Sequence, residues 1–267
     1  MFDITMATCS ERGQRAANED ALRFGRADAI QYAVLADGAG GHEGGAEASR
    51  RVVDHVEAAL CVSAFSPERL TQALLSAHAA LQREQMGAQG HRRMHATVVV
   101  LWIDSRVDRA VWSHVGDSRL YRLRYGVVDL VTADDSVVQR MLEGGVLTPQ
   151  QAQDHPMRSQ LLAAVGMQDS VEPHTLPAAV VLEDGDAFLL CTDGWWGALD
   201  DADMTGTLSD ADTPQAWLDA MRVLIQVRAA PGQDNFSAIA VWVTDPSEST
   251  RSMPDDEATV LAPISDE

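Results

Sequence analysis

Four aspartates sit where apolar runs give way to turns. Asp37 ends the run 32–36 and precedes Gly38, Asp193 ends 188–192 and precedes Gly194, and Asp117 follows Val115-Gly116. Asp234 lies in Gly232-Gln233-Asp234-Asn235, just ahead of the apolar run 236–243. A carboxylate at a strand end has rigid support, and a neighbouring glycine lets a backbone carbonyl come close to a ligand. Several carboxylates at one rim repel one another unless a cation neutralises them, and hard divalent ions such as magnesium or manganese suit oxygen donors. The segment Arg15-Ala16-Ala17-Asn18-Glu19-Asp20 adds a guanidinium, which binds phosphate through paired hydrogen bonds, beside two acids that could face a metal. Taken singly, an Asp-Gly pair also marks an ordinary turn, and the Arg15 segment also reads as a solvated charged loop. Spacing alone does not show that these acids meet.

Other reactive side chains point to less. His91 and His95 are four apart, a zinc spacing on a helix, but no HExxH glutamate stands between them and the segment enters a strand, so a loop is expected. Trp195-Trp196, behind Asp193-Gly194, could line a site, with packing the expected role. Cys9, Cys61 and Cys191 form no CxxC pair, and no arginine follows Cys191 at the spacing of a cysteine phosphatase. They offer neither a disulfide framework nor a structural zinc site, and suit a reducing compartment.

The elements that must carry these residues are legible from periodicity. Short β-branched runs predict strands at 30–36, 97–103, 110–115, 126–131, 187–191 and 236–243, several buried on both faces, with 119–124 as one arm of a hairpin into 127–131. Helical spacing marks Val52, Val53, Val56, Ala59 and Leu60, then Leu70, Leu74, Ala77 and Leu81, then Trp217, Leu218, Met221, Leu224 and Ile225. Ser66-Pro67 and Thr213-Pro214 are start signals, and Thr148-Pro149-Gln150-Gln151 adds a capping box. The order is not βαβ alternation. It predicts an α+β layered domain with a largely antiparallel sheet system and a helical insertion near 134–165. Residues 245–267 hold seven acids and one arginine among scattered Pro and Ser, which predicts a disordered acidic tail beyond a domain spanning 1–244.

Composition narrows the functions. Forty acids against twenty bases give a net charge of −20, which argues against nucleic-acid or anionic-membrane binding. The chain has no lysine, so Schiff-base chemistry, a P-loop and a protein kinase are excluded. No signal-peptide pattern is visible at the start, and the longest apolar run, 96–103, is far short of a membrane span. A soluble, cytoplasmic protein is expected.

Six segments in order, RAANED, VLADGAGGHEGGAEAS, HATVVVLW, HVGDSRLYRL, LLCTDGWWGAL and GQDNFSAIAV, resemble the metal-dependent serine/threonine protein phosphatases of type 2C, the PPM family, in their compact bacterial form. The resemblance covers about residues 3–244. It implies a four-layer αββα sandwich, two central mostly antiparallel sheets flanked by helices, with a metal centre at one end. It implies that Asp37 bridges two Mn2+ or Mg2+ ions, that the Gly38 carbonyl and Asp193 and Asp234 serve the first ion, and that Glu19 serves the second. Asp20 falls in or near the next layer, and Asp117 matches the acid that holds a third, weaker ion with the residue at Asp193. Arg15 matches the phosphate-binding arginine, so that Arg15 and Asp37 are the catalytic candidates. A metal-activated water would then attack phosphoserine or phosphothreonine in line, without a phosphoenzyme.

The departures matter as well. Ala39 stands where many eukaryotic members have a histidine proposed as general acid, with His42 three residues on. In the flap-like insertion, Asp135 replaces a common histidine and Ser159 a common asparagine, which touches substrate choice rather than the metal centre. The tail segment 256–261 resembles threonine-centred peptides that bacterial kinases phosphorylate and forkhead-associated domains read, which makes Thr259 a candidate phosphosite. The expected partners are phosphorylated proteins, an opposing serine/threonine kinase and a forkhead-associated-domain protein, with the enzyme a monomer. The competing readings are a non-catalytic phosphatase-like binding module and a small-molecule phosphoesterase; the presence of Glu19, Asp37, Asp193 and Asp234 together favours the enzyme.

Overall fold

The computed structural model describes residues 1–39, 43–87, 94–153 and 155–247. His42, residues 91–93 and the tail from 248, with Thr259, lie outside the described residues. In chain order the elements are β1 (Asp3–Glu11), β2 (Asp20–Ala27), β3 (Ile30–Ala39), α1 (Glu43–Val62), α2 (Pro67–Gly87), β4 (His95–Ala96), β5 (Val98–Asp104) and β6 (Arg109–Val115). They continue with β7 (Arg119–Arg124), β8 (Val127–Leu130), α3 (Val137–Glu143), α4 (Pro149–Gln153), β9 (His174–Thr175) and β10 (Val180–Val181). The last are β11 (Ala187–Cys191), α5 (Asp193–Trp196), α6 (Asp201–Ser209), α7 (Pro214–Arg228) and β12 (Phe236–Thr244).

Two antiparallel sheets form the centre. One runs β1-β12-β11-β7-β8, and the other β10-β6-β5-β3-β2 with β4 and β9 attached to β3 and β6. Alternation along each strand assigns its two faces. On β5, Val98, Val100 and Trp102 meet α1 and α2 through Val52, Val56, Leu70 and Leu74. The intervening Val99, Leu101 and Ile103 meet Phe188, Leu190, Ile239 and Val241 of the other sheet. The outer face of that second sheet, Leu189, Cys191, Ala238 and Ala240, packs against Trp217, Leu218, Met221 and Ile225 of α7. Because both faces of these strands are covered, they read as unbroken apolar runs. The layers are helix, sheet, sheet, helix.

Helices start where their capping residues predict. Thr213 Oγ1 accepts from the Ala216 N–H at 3.1 Å and Ser66 Oγ from the Arg69 N–H at 3.3 Å. At α4 the capping box closes both ways, Gln151 Oε1 taking the Thr148 N–H at 2.9 Å and Thr148 Oγ1 taking the Gln151 N–H at 3.4 Å. Two corrections stand against the sequence reading. The strand expected at 97–103 begins one residue later, at Val98, and Thr97 stands between β4 and β5, where its Oγ1 accepts the Asp37 N–H at 3.0 Å. Strands β1 and β2 went unread, and both are only part-buried, with Ser, Thr, Arg and Asp on their outward positions. Among the described residues no helix is long and apolar enough to cross a membrane.

Candidate metal centre

At one end of the sandwich, a pocket of about 420 Å³ is lined by Arg15, Glu19, Asp37, Gly38, Asp117, Asp193 and Asp234, with Ser159 and Leu161 at its rim. Five acids and one arginine, drawn from segments more than two hundred residues apart, thus meet in one place. Asp20 and Asp37 are direct partners across β2 and β3. Like charges so placed destabilise a sheet unless something neutralises them.

The pocket raises its own carboxylates. Burial, then the charges of Asp20, Asp193, Asp117 and Asp234, pushes Asp37 well above the ordinary carboxylate range. Burial pushes Asp20 up to about 7, with Asp193 and Asp234 adding to it and Ser237 and Thr192 opposing it through hydrogen bonds. Asp117 is pushed up to about 8 by burial, Asp193 and Asp134. Asp193 rises to about 6 through burial and Asp234, opposed by the Gly194 backbone and by Arg158 and Arg15. Walls of protein around a concave, oxygen-lined space produce this pattern.

Each acid is held by its neighbours. The Gly38 N–H donates to the Glu19 carbonyl at 3.1 Å, and Ser49 Oγ donates to the same carbonyl at 2.5 Å. Asn235 accepts the Glu19 N–H at 2.9 Å through Oδ1, while its amide nitrogen donates to the carbonyls of Arg12 at 2.7 Å and Ala17 at 2.9 Å. That one side chain fixes the loop presenting Arg15 and Glu19. Thr192 Oγ1 donates to Asp20 Oδ2 at 3.1 Å and accepts the Ser237 N–H at 3.0 Å. Trp196 Nε1 donates to the Asp117 carbonyl at 3.0 Å, and its ring carries the Arg119 guanidinium 3.6 Å from the centroid. Asn235, Thr192 and Thr97 were not assigned to the site from sequence, their only signal being adjacency to the acidic motifs, and Trp196, expected to pack, does so while also bonding the Asp117 carbonyl. Trp195 is fully buried, as packing predicts.

The donor set fits hard divalent cations. It is all oxygen, and Asp20 Oδ1 is buried without a hydrogen-bond partner. The glycines keep room: a Cβ on Gly38 would fall 2.1 Å from the Gly45 carbonyl, and one on Gly45 2.6 Å from Glu19 Oε2. Among the described residues no three such side chains stand where they could together hold one ion as placed. Asp234 is turned to Arg15 Nη2 at 2.6 Å. No cysteine lines the pocket, and burial pushes the Cys191 thiol up and Cys9 up to about 11.

Comparison with known proteins agrees with this geometry. A family model described as Protein phosphatase 2C matches residues 9–235. The protein phosphatase PhpP of Streptococcus pneumoniae is 28% identical over 217 residues, 79% of this chain and 85% of the relative. PppA of Pseudomonas aeruginosa, described as a key regulatory component of a type VI secretion system, is 31% identical, with a TM-score of 0.74 over 90% of this chain and 97% of that one. The catalytic domain of the phosphatase PstP in complex with two manganese ions is 26% identical, with a TM-score of 0.79 over 92% of this chain and 100% of that one.

Proposed function

The chain belongs to the protein phosphatase 2C family and is a metal-dependent serine/threonine protein phosphatase, and we propose how its own residues divide the work. Asp37 would be shared by two Mn2+ or Mg2+ ions, Glu19 serving one and Asp193, Asp234 and the Gly38 carbonyl the other. Asp117 with Asp193 would hold a third, weaker ion, and Asp20 would support Asp37 from the next layer. When bound there, such ions lower the pKa of a shared water and offset the charge of the phosphoryl group.

Arg15 orients the phosphoryl oxygens, exchanging its contact with Asp234 for the substrate. The convergence of five acids with Arg15 in one pocket carries this reading. Ala39 offers no proton to the leaving group, so that proton is not assigned to the residue after Gly38. The enzyme would act in the cytoplasm as a monomer, opposite a serine/threonine kinase, with its catalytic domain ending near 244. A phosphorylated Thr259 would recruit a forkhead-associated-domain partner; deleting 245–267 should then abolish capture while sparing activity on a small phosphoester.

The decisive experiment measures hydrolysis of a phosphothreonine peptide with and without Mn2+, with Asp193→Ala as control and phosphotyrosine peptide and nucleotide as comparators. Metal-dependent turnover of the phosphothreonine peptide, lost in the variant, is expected. Equal or faster turnover of nucleotide would overturn the substrate assignment.

A further inference from the structure

Asp135 stands at the neck of the 134–165 insertion and does not line the pocket, yet it joins the pocket's two sides. Its backbone N–H donates to the Gly116 carbonyl at 3.0 Å, and its Oδ2 accepts the Gly116 N–H at 2.9 Å. Gly116 is thereby held through both of its polar groups in a left-handed conformation, φ +102°, and the next residue is Asp117. On the other side, the Asp135 carbonyl accepts the Leu162 N–H at 2.7 Å, the Val137 N–H donates to the Gln160 carbonyl at 2.9 Å, and Ser136 bridges Leu161. Those contacts fix the returning segment of the insertion, whose Ser159 and Leu161 line the pocket.

The carboxylate is oriented from outside. His174 Nε2 meets Asp135 Oδ1 at 2.8 Å. The ring of His174 stacks on His114, centroids 4.9 Å apart and planes at 23°, through the β6–β9 pairing that sets the two residues opposite each other. His114 is itself fixed by Nε2 on the Ala133 carbonyl at 2.7 Å. The carbonyl can only accept, so Nε2 of His114 carries the proton.

We propose that Asp135, oriented by His174, is a positioning residue that sets the rim formed by Ser159 and Leu161 against the Gly116–Asp117 turn, and so governs how protein substrates engage the pocket. This rests on the phosphatase reading of that pocket. A small phosphoester needs only the floor, whereas a peptide must also pass the rim.

The test compares Asp135→Ala, Asp135→Asn and His174→Ala with wild type at saturating Mn2+, on a phosphothreonine peptide and on p-nitrophenyl phosphate, with melting temperatures alongside. Asp135→Ala should raise the peptide KM about tenfold, the size of one lost buried hydrogen-bonded partner. Its kcat and KM for p-nitrophenyl phosphate should stay within about threefold of wild type. His174→Ala should show a smaller rise, and Asp135→Asn should recover most of the loss, because its amide oxygen still accepts from Gly116. If Asp135→Ala does not fold, the other two variants carry the same comparison, since His174 is half-exposed. Parallel losses on both substrates, or a lower melting temperature with unchanged kinetics, would overturn the proposal. Wild-type protein inactive on both substrates would instead mean that the phosphatase reading had failed, and this proposal with it.

Discussion

Asp37 faces Asp20 across β2 and β3, and its carboxyl is raised by burial and by four neighbouring acids. Function and stability therefore pull on this residue in opposite directions. Asp37→Asn should cut kcat by about 10²–10³-fold or more, because a ligand shared by both ions becomes a neutral amide. The same change should raise the melting temperature in chelator, because a like-charge contact is removed. Near-wild-type turnover would sink the mechanism. Arg15→Ala should behave differently. Its pair with Asp234 is open to solvent, with the side chains 56% and 40% exposed, so stability should hardly move. Phosphate binding should weaken by about 1.5–3 kcal/mol, read from KM and from inhibition by inorganic phosphate. Asp37, Asp117 and Asp193 were legible because charged residues beside glycine interrupt apolar runs, and Arg15 and Glu19 because they cluster in one short charged segment. Their convergence was not, since Asp37 and Asp234 come from opposite ends of the chain. Asn235 and Thr192 left no pattern because a single buried hydrogen-bonding group has no period.

At the scale of elements, the site depends on how closely α1 can approach β3. Gly38 on the strand lies under Gly45 in the first helical turn, with room for no side chain. Gly38→Ala must push the helix away or twist the strand end that carries Asp37. The expected outcome is a weaker Mn2+ affinity by isothermal titration together with a lower melting temperature. A well-folded variant binding Mn2+ as tightly as wild type would show that the close approach is incidental. The same strand explains what the sequence made plain. β3, β5, β11 and β12 are covered on both faces, so their apolar runs stand out, and α2, α4 and α7 announce themselves by Ser-Pro or Thr-Pro starts. Strands β1 and β2 lie at the sheet edges, and most of their positions are only half-buried or exposed. Their mixed residues are a consequence of that place, and periodicity had too little contrast to find them.

Over the whole molecule, the pocket acids link stability to pH and to metal. Ordinary aspartates titrate near 3.9, whereas Asp193, Asp20 and Asp117 are raised to about 6, 7 and 8 in the folded chain. Between about pH 4 and pH 8 the folded state therefore binds more protons than the unfolded one. Their contribution to stability is complete below about pH 4 and is lost as pH rises through 6 to 8. Asp203, lowered to about 2 by Arg228, acts with the opposite sign, but its contribution is lost only as pH falls below about 4 and leaves this window untouched. His114 and His78, lowered by burial, add stability as pH rises through the ordinary histidine range, but three raised acids outweigh two histidines, so in chelator the melting temperature should decline from pH 5 to pH 8. Divalent cations compete with those protons for the same oxygens, so Mn2+ should bind better as pH rises, and a ligand at a hundred times its Kd adds about 2.7 kcal/mol. The thermal shift on adding Mn2+ should consequently be larger at pH 8 than at pH 5 and should shrink in Asp193→Ala. An equal shift at both pH values would mean that the ions do not displace protons from this cluster, and the acids round the pocket would then need a different reason for being gathered there.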